Sequence, residues 1–355
     1  MTRLVQIVPN LPPSVNGVGD YALLLAGALR AHGVETSFLV ANAAWNGAEV
    51  QGFQTARLED GQAVLENGVA AVLLQYVGYG YSKRGAPLWL VRWMRALARR
   101  PQKPVCAVFF HELYAVGPPW RSSFWFSLVQ RHVCRQLARL ADVRLTNRSY
   151  SAAILDEMSA GDGKTTVLPV VSNFGEPATV PQLAERKPQL AVYGGLRRTA
   201  QEGDRAAPAL RAFCAAAGIE RVVSFGKTAF EAFSPDIPVE NRGVLSAQEV
   251  STLLLESRAC YQDYPLSNLG KSGIYAACCA HGTLPLVLEA DAGQADGIRR
   301  DENVHVVTSP GDKTSPEHWQ SIADAAFRWY QGHSLPRIAE IISHAILNPA
   351  APRPV

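Results

Sequence analysis

The chain has 355 residues, 48% of them hydrophobic, and 34 Lys and Arg against 31 Asp and Glu, for a net charge of +3. That is too apolar for a disordered chain and too long for one ordinary core, so two domains are expected. The charge is uneven, net +6 over residues 1–170 and net −3 over residues 171–355; a basic first half could meet an anionic membrane surface, an acidic acceptor or nucleic acid, or simply be solvated surface.

From the N-terminus, MTRLVQIVPNLPP holds a short β-branched run that ends in prolines. It is too short for a signal-peptide core, and no segment approaches the roughly 18 apolar residues of a membrane span. The turn LPPSVNGVGD leads into YALLLAGALRAHG, whose Leu and Ala recur at helical spacing and stop at Gly33. ETSFLVA and VAAVLLQYV follow as strands, then a helix near 87–100, the strand VCAVFFHEL, a long helix near 124–141 and the strand VRLTN. Such alternation predicts a doubly wound α/β domain with a parallel sheet. Around VLPVVSNFGEPATVPQLAERKPQ the pattern breaks into prolines and charges, and then LAVYGGL, RVVSFGK, RACYQDY and LPLVL restart it. The expectation is two Rossmann-like domains, 1–175 and 188–332, facing each other across a cleft, with a helix in 333–355 packing back on the first. Ligands of such sheets bind beyond the carboxyl ends of the strands.

Six cysteines, at 106, 134, 214, 260, 278 and 279, show no CxxC pair and no zinc-like histidine spacing. They point to reduced, buried thiols in a cytoplasmic protein. No Asp-x-Asp pair or His and carboxylate cluster suggests a divalent ion.

Several turns carry candidate chemistry. In NGVGDY, Gly17 and Gly19 would let the backbone approach a diphosphate; the alternative is a plain strand-to-helix turn capped by Asp20 or Asn16. In PLSNLGKSGIYAACCAHG, Gly270, Lys271, Ser272 and Gly273 fail the Walker spacing but open a helix whose unpaired N–H groups attract anions. YGGLRRTAQ and SFGKTAF place Arg197, Arg198 and Lys227 just beyond strands, where cations could gather on the same anion. His111 follows a buried strand and begins a loop with Glu112, Tyr114 and Trp120; a core histidine tied to a carbonyl is the plainer alternative. The helix APLWLVRWMRALARRPQK sets Trp89 and Trp93 beside four arginines, a pattern for lying on an anionic inner-membrane surface or for a domain helix with a basic solvated face. No stacking platform or recognition helix supports nucleic-acid binding.

Three segments, PNLPPSVNGVGDYALLLAGALRAHG, RGVLSAQEVSTLLLESRACYQDYPLS and AACCAHGTLPLV, in that order, resemble the GT-B glycosyltransferases, in particular the retaining family 4 type. The resemblance implies sugar transfer with retention from a nucleoside-diphosphate-sugar, held mainly by the second domain, to a carbohydrate or lipid-linked acceptor held mainly by the first. It implies no cofactor, no protein nucleophile and a donor-sugar contact for His111; Glu112, the nearest carboxylate, is the candidate to meet an acceptor hydroxyl. One departure stands out. The family's two donor-site glutamates, eight positions apart, align with Leu269 and Ala277, so Lys271 is the substitute expected beside the diphosphate. A non-catalytic nucleotide-sugar-binding protein of the same fold is the competing expectation.

Overall fold

The computed structural model describes residues 2–14, 17–61, 64–65, 68–118, 120, 122–159, 164–194, 203–231, 234, 236–288, 296–307 and 315–348. The chain divides into two compact units, one of Met1–Leu168 with Leu335–Val355, the other of Pro169–Ser334.

In the first unit β1 (Thr2–Val8), β2 (Val34–Val40), β3 (Glu49–Val50), β4 (Phe53–Arg57), β5 (Ala71–Tyr76), β6 (Val105–Phe110), β7 (Val143–Thr146) and β8 (Thr166–Val167) share one sheet. Its order is β3-β4-β2-β1-β5-β6-β7-β8, parallel except for the β3–β4 hairpin. β5 and β6 are apolar at almost every position because both faces of a central parallel strand are covered; Leu73, Leu74, Val108 and Phe109 are fully buried. The crossover helices are α1 (Gly17–Leu29), the single turn α2 (Gly78–Tyr81), α3 (Leu88–Ala98), α4 (Ser122–Leu140) and α5 (Ser149–Met158). α3 buries Leu90, Val91, Met94 and Leu97 and packs Trp93 against the core, so it is a domain helix with a basic outer face.

The second unit carries β9 (Lys187–Tyr193), β10 (Arg221–Phe225), β11 (Val239–Asn241), β12 (Ser257–Gln262), β13 (Leu284–Val287) and β14 (His305–Val306), all parallel, in the order β11-β10-β9-β12-β13-β14. Its helices are α6 (Gly203–Ala216), α7 (Ala247–Glu256), α8 (Gly273–Ala280) and α9 (Pro316–Gln331). α7 starts on a capping box in which Ser246 and Glu249 satisfy each other's backbone N–H groups. The proline-rich stretch expected as a linker is instead fastened to this unit: Val170 N donates to the Gly270 carbonyl, Ser172 N to the Tyr330 hydroxyl, and Arg186 is buried. The division between units falls at Leu168 and Pro169, at the start of this stretch and ahead of the expected end at residue 175. The final helix, α10 (Leu335–Leu347), buries Ile338, Ala339, Ile342, Ala345 and Ile346 and packs on α1 of the first unit.

All six cysteines are free and buried. Burial pushes the Cys106 thiol up to about 11 and the Cys134 and Cys214 thiols up to about 12, which leaves them inert. No helix among the described residues is long and apolar enough to cross a membrane.

Buried histidines make both units acid-sensitive. Burial lowers the pKa of His281 and of His333 to about 4 and of His111 to about 3. The unfolded chain takes up each proton near the ordinary histidine value of about 6.5, well above the folded state. Stability is thus complete above that pH and falls as pH drops toward 4, by about 3 kcal/mol for one such histidine. Thermal midpoints measured at pH 7.5, 5.5 and 4.5 should fall steeply over the last interval. His281→Gln, which can keep a contact to the Ser251 hydroxyl that His281 Nε2 meets at 2.8 Å, should flatten that fall.

Candidate functional site

Each sheet reverses its strand order once, between β1 and β5 in the first unit and between β9 and β12 in the second. Loops that leave neighbouring strands in opposite directions open a crevice at such a point. In the second unit that crevice is a cavity of about 540 Å³ lined by Asn173, Phe174, Tyr193, Gly194, Thr228, Gln262, Asp263, Tyr264, Lys271, Ser272, Gly273 and Ile274. Tyr193 ends β9 and Gln262 ends β12, while Ser272 to Ile274 open α8. Gly194 turns the chain away from β9 with φ +72°, a conformation that favours glycine.

The start of α8 supplies the positive side of this cavity. Ser272 caps the helix by accepting the Tyr275 N–H at 3.2 Å, and Ala276 N bonds to the Ser272 carbonyl. The N–H groups of Gly273 and Ile274 have no partner among the described residues and lie on the cavity wall. A Cβ on Gly273 would meet only Asn173 Nδ2, at 4.0 Å, so the approach to these donors is open. Lys271 is half-buried beside them, and no carboxylate among the described residues forms an ion pair with it. A helix N-terminus with an adjacent lysine is a site for a phosphate-bearing anion.

Gln262 is 2% exposed and lines the same cavity. Its Oε1 accepts from the Ser272 hydroxyl at 2.6 Å, while its Nε2 has no partner among the described residues. A buried amide N–H with nothing to bond to is costly, so a ligand acceptor would satisfy it. Tyr193 presents an exposed ring packed 5.4 Å from Phe225, a platform for a flat ring. The Asp263 carboxylate and the Thr228 and Tyr264 hydroxyls suit polyol hydroxyls better than phosphate. Sequence reasoning missed Gln262 and Tyr193; the signal available was a polar or aromatic side chain at the last position of an otherwise apolar strand.

The structure separates the residues expected here. Lys271, Ser272 and Gly273 meet in the cavity. Gly270 is buried one residue outside it, where a Cβ would press on the Asp296 carboxylate at 2.8 Å, so its glycine accommodates that side chain. Lys227 is exposed on the turn after β10, next to the lining residue Thr228. Arg197 and Arg198 lie outside the described residues. Leu269 and Ala277, which align with the two glutamates, are both fully buried in core clusters and present nothing to the cavity.

In the first unit the loops after β1, β5 and β6 leave from one sheet edge. Gly19 is buried, and a Cβ there would overlap the carbonyl oxygen of Asn10, so this glycine serves the close approach of loop and helix. Gly17 is exposed, with nothing within 4 Å of a Cβ. His111 follows β6. Its ring stacks on Phe109 at 4.5 Å and meets Tyr21 edge-on at 5.4 Å. His111 Nε2 lies 2.8 Å from Gln75 Oε1; Gln75 Nε2 in turn donates to Gln6 Oε1 at 2.7 Å, and Gln6 Nε2 to the Ala22 carbonyl at 3.2 Å. This relay orients Gln75 as acceptor and fixes the proton of His111 on Nε2. With burial lowering its pKa to about 3, the imidazole is neutral at physiological pH and offers Nδ1 as an acceptor. Glu112 is exposed on the loop that follows.

No protein-family model matches the chain, and no curated protein sequence matches it. Solved structures do. An alpha-glucosyltransferase in complex with UDP and a 13-mer DNA superposes with a TM-score of 0.62 at 11% identity, covering 98% of this chain and 99% of the other. An α,α-trehalose 6-phosphate synthase from Burkholderia multivorans superposes with a TM-score of 0.57 at 12% identity over 100% of both chains. WaaG, a glycosyltransferase involved in lipopolysaccharide biosynthesis, gives 0.55 at 12% identity over 97% and 99%. The chain has the GT-B fold, as the resemblance of its three segments implies.

Proposed function

We propose that the chain transfers a sugar from a nucleoside-diphosphate-sugar to an acceptor hydroxyl, with retention of anomeric configuration and without a metal. The observation that carries this reading is the cavity at the switch point of the second sheet, where Lys271 and the unpartnered N–H groups of Gly273 and Ile274 surround one space. The fold shared with an alpha-glucosyltransferase in complex with UDP and with the glycosyltransferase WaaG supports it.

The diphosphate gains negative charge as it leaves, and the lysine and helix start stabilise that charge where a metal would otherwise do so. An oxocarbenium-like centre then forms, and the acceptor hydroxyl attacks from the face the diphosphate left, giving its proton to a donor phosphate oxygen. His111, neutral, accepts a hydrogen bond from a sugar hydroxyl, and Glu112 meets the acceptor. We place the reaction in the cytoplasm, which suits the free buried thiols.

A second reading, a binding protein that holds the nucleotide-sugar without turning it over, is favoured by the burial of Leu269 and Ala277 where the family's glutamates stand. Release of nucleoside diphosphate from a panel of nucleotide-sugars, with and without acceptor extracts, separates the two. Transfer predicts release that rises with acceptor and persists in EDTA. Saturable binding with no release selects the binding protein, and neither binding nor release discards both.

A further inference from the structure

The net positive charge of the first half is concentrated in one stretch. Between residues 79 and 140 there are 11 Lys and Arg and a single acid, Glu112. The same stretch holds most of the large hydrophobic side chains exposed among the described residues: Trp120 is 84% exposed, Leu128 75% and Trp125 69%, with Tyr79, Leu88, Val116, Phe124 and Val129 also on the surface.

The helix α4 explains how the two properties share one face. Phe124, Leu128, Arg131 and Arg135 follow one another at spacings of four, three and four, so they form a single solvent-facing stripe. Its first half is apolar and its second half basic. The opposite face buries Val133 and Leu137, and Cys134 and Ala138 are buried along its flank. The stripe continues onto neighbouring segments because Gln130, almost fully buried, ties them together. Its Oε1 accepts the Ala115 N–H at 2.7 Å, and its Nε2 donates to the Arg84 carbonyl at 2.8 Å and the Tyr79 hydroxyl at 3.2 Å. Arg84 lies over the Phe126 ring at 4.7 Å. Tyr79, Val116 and the start of α4 are thereby held as one surface.

From this we infer that the patch formed by α4 and the loops before it is a docking surface for an anionic phospholipid bilayer. Tryptophans with exposed Leu and Val suit the boundary between acyl chains and headgroups, and the arginines behind them suit anionic headgroups. A nucleic acid would also meet the charge and could stack on the aromatics, but the exposed aliphatic Leu128, Val116 and Val129 among them suit acyl chains and offer a base neither a stacking face nor a hydrogen bond. This places the contact on α4 rather than on α3, whose apolar side is committed to the core. The loop that carries Val116 begins at His111, so an acceptor borne on the same lipid would be delivered to the acceptor-side edge of the sheet; that step rests on the transfer reading.

The test uses the full chain and no donor, so its failure is independent of any failure to turn over nucleotide-sugar. Co-sedimentation is measured with vesicles of phosphatidylcholine alone and of phosphatidylcholine with one-third phosphatidylglycerol. Binding should favour the anionic vesicles at least tenfold and fall as salt is raised from 0.1 to 1 M. Trp125→Ser with Leu128→Ser should reduce it at least tenfold, Arg131→Glu with Arg135→Glu likewise, and Val244→Ser, an exposed apolar residue of the second unit, should not. Thermal midpoints confirm folded variants. Equal binding of neutral and anionic vesicles overturns the proposal, as does unchanged binding of both double variants. Dimerisation abolished by those variants, or capture of a DNA duplex abolished by them, with vesicles ignored in either case, reassigns the surface and also overturns it.

Discussion

An Arg186→Leu variant is expected to unfold its second unit at a far lower urea concentration than the parent, with a loss of about 3–5 kcal/mol. Arg186 is 4% exposed and has no carboxylate partner among the described residues. Its guanidinium instead donates to the carbonyls of Pro181, Leu254, Ser257, His281 and Gly282 and to the Thr283 hydroxyl, all between 2.8 and 3.2 Å. Two terms oppose each other in the substitution. Burial of the charge is costly, as its pKa lowered to about 10 shows, and leucine relieves that cost. Against this, several turn carbonyls lose a charge-assisted bond at once, each worth more than a neutral one. Because one planar fork joins the strap before β9, the end of α7, the start of β12 and the turn before β13, the second term wins. Arg186→Lys keeps the charge but offers three donors from one point, and should recover only part of the loss. Hydrogen exchange in β9 and β12 peptides reports the effect directly. Protection equal to the parent's in the leucine variant would show that these turns hold without the fork.

The sheets were legible in the sequence for the reason that makes them stable. Central strands such as Ala71–Tyr76 and Val105–Phe110 are buried on both faces, so their composition admits no other element. Edge strands were not legible: Glu49–Val50, Thr166–Val167 and His305–Val306 have two residues each and owe their shape to a neighbour rather than to their own pattern. The candidate site divides along similar lines. Lys271, Ser272 and Gly273 were visible because a polar turn before an apolar helix has a local signature. Gly19 and Gly270 share that signature, yet their glycines answer to Asn10 and Asp296, partners distant in sequence that only the fold brings close. Gln262 was invisible for the converse reason, since its importance comes from a missing partner, and a missing partner leaves no mark on composition. The outward stripe of α4 was half visible. Its charge could be counted, but which tryptophans face water depended on the packing of Val133, Cys134 and Leu137 beneath it.

Lys271→Ala is expected to lower kcat/KM for the nucleotide-sugar by about a hundredfold to a thousandfold, the loss typical of removing one preorganised group that stabilises transition-state charge. A lysine about 4 Å from a phosphate oxygen contributes roughly 4 kcal/mol of attraction at the effective dielectric of a protein surface. Part of this is felt in the ground state, but the diphosphate becomes more negative as the glycosidic bond breaks, so the deficit should fall more on kcat than on KM. Stability offers the control. Lys271 is half-buried in a turn, and no ion pair among the described residues depends on it, so the thermal midpoint should barely move. Ser272→Ala differs in kind: it removes both the cap on Tyr275 N and the partner of Gln262 Oε1, and should cost about 1 kcal/mol of stability as well as donor affinity. The two variants together separate charge from scaffold. If alanine at 271 leaves turnover within twofold of the parent, the cation nearest the helix start does not face the leaving group, and the diphosphate must be sought elsewhere on the second unit.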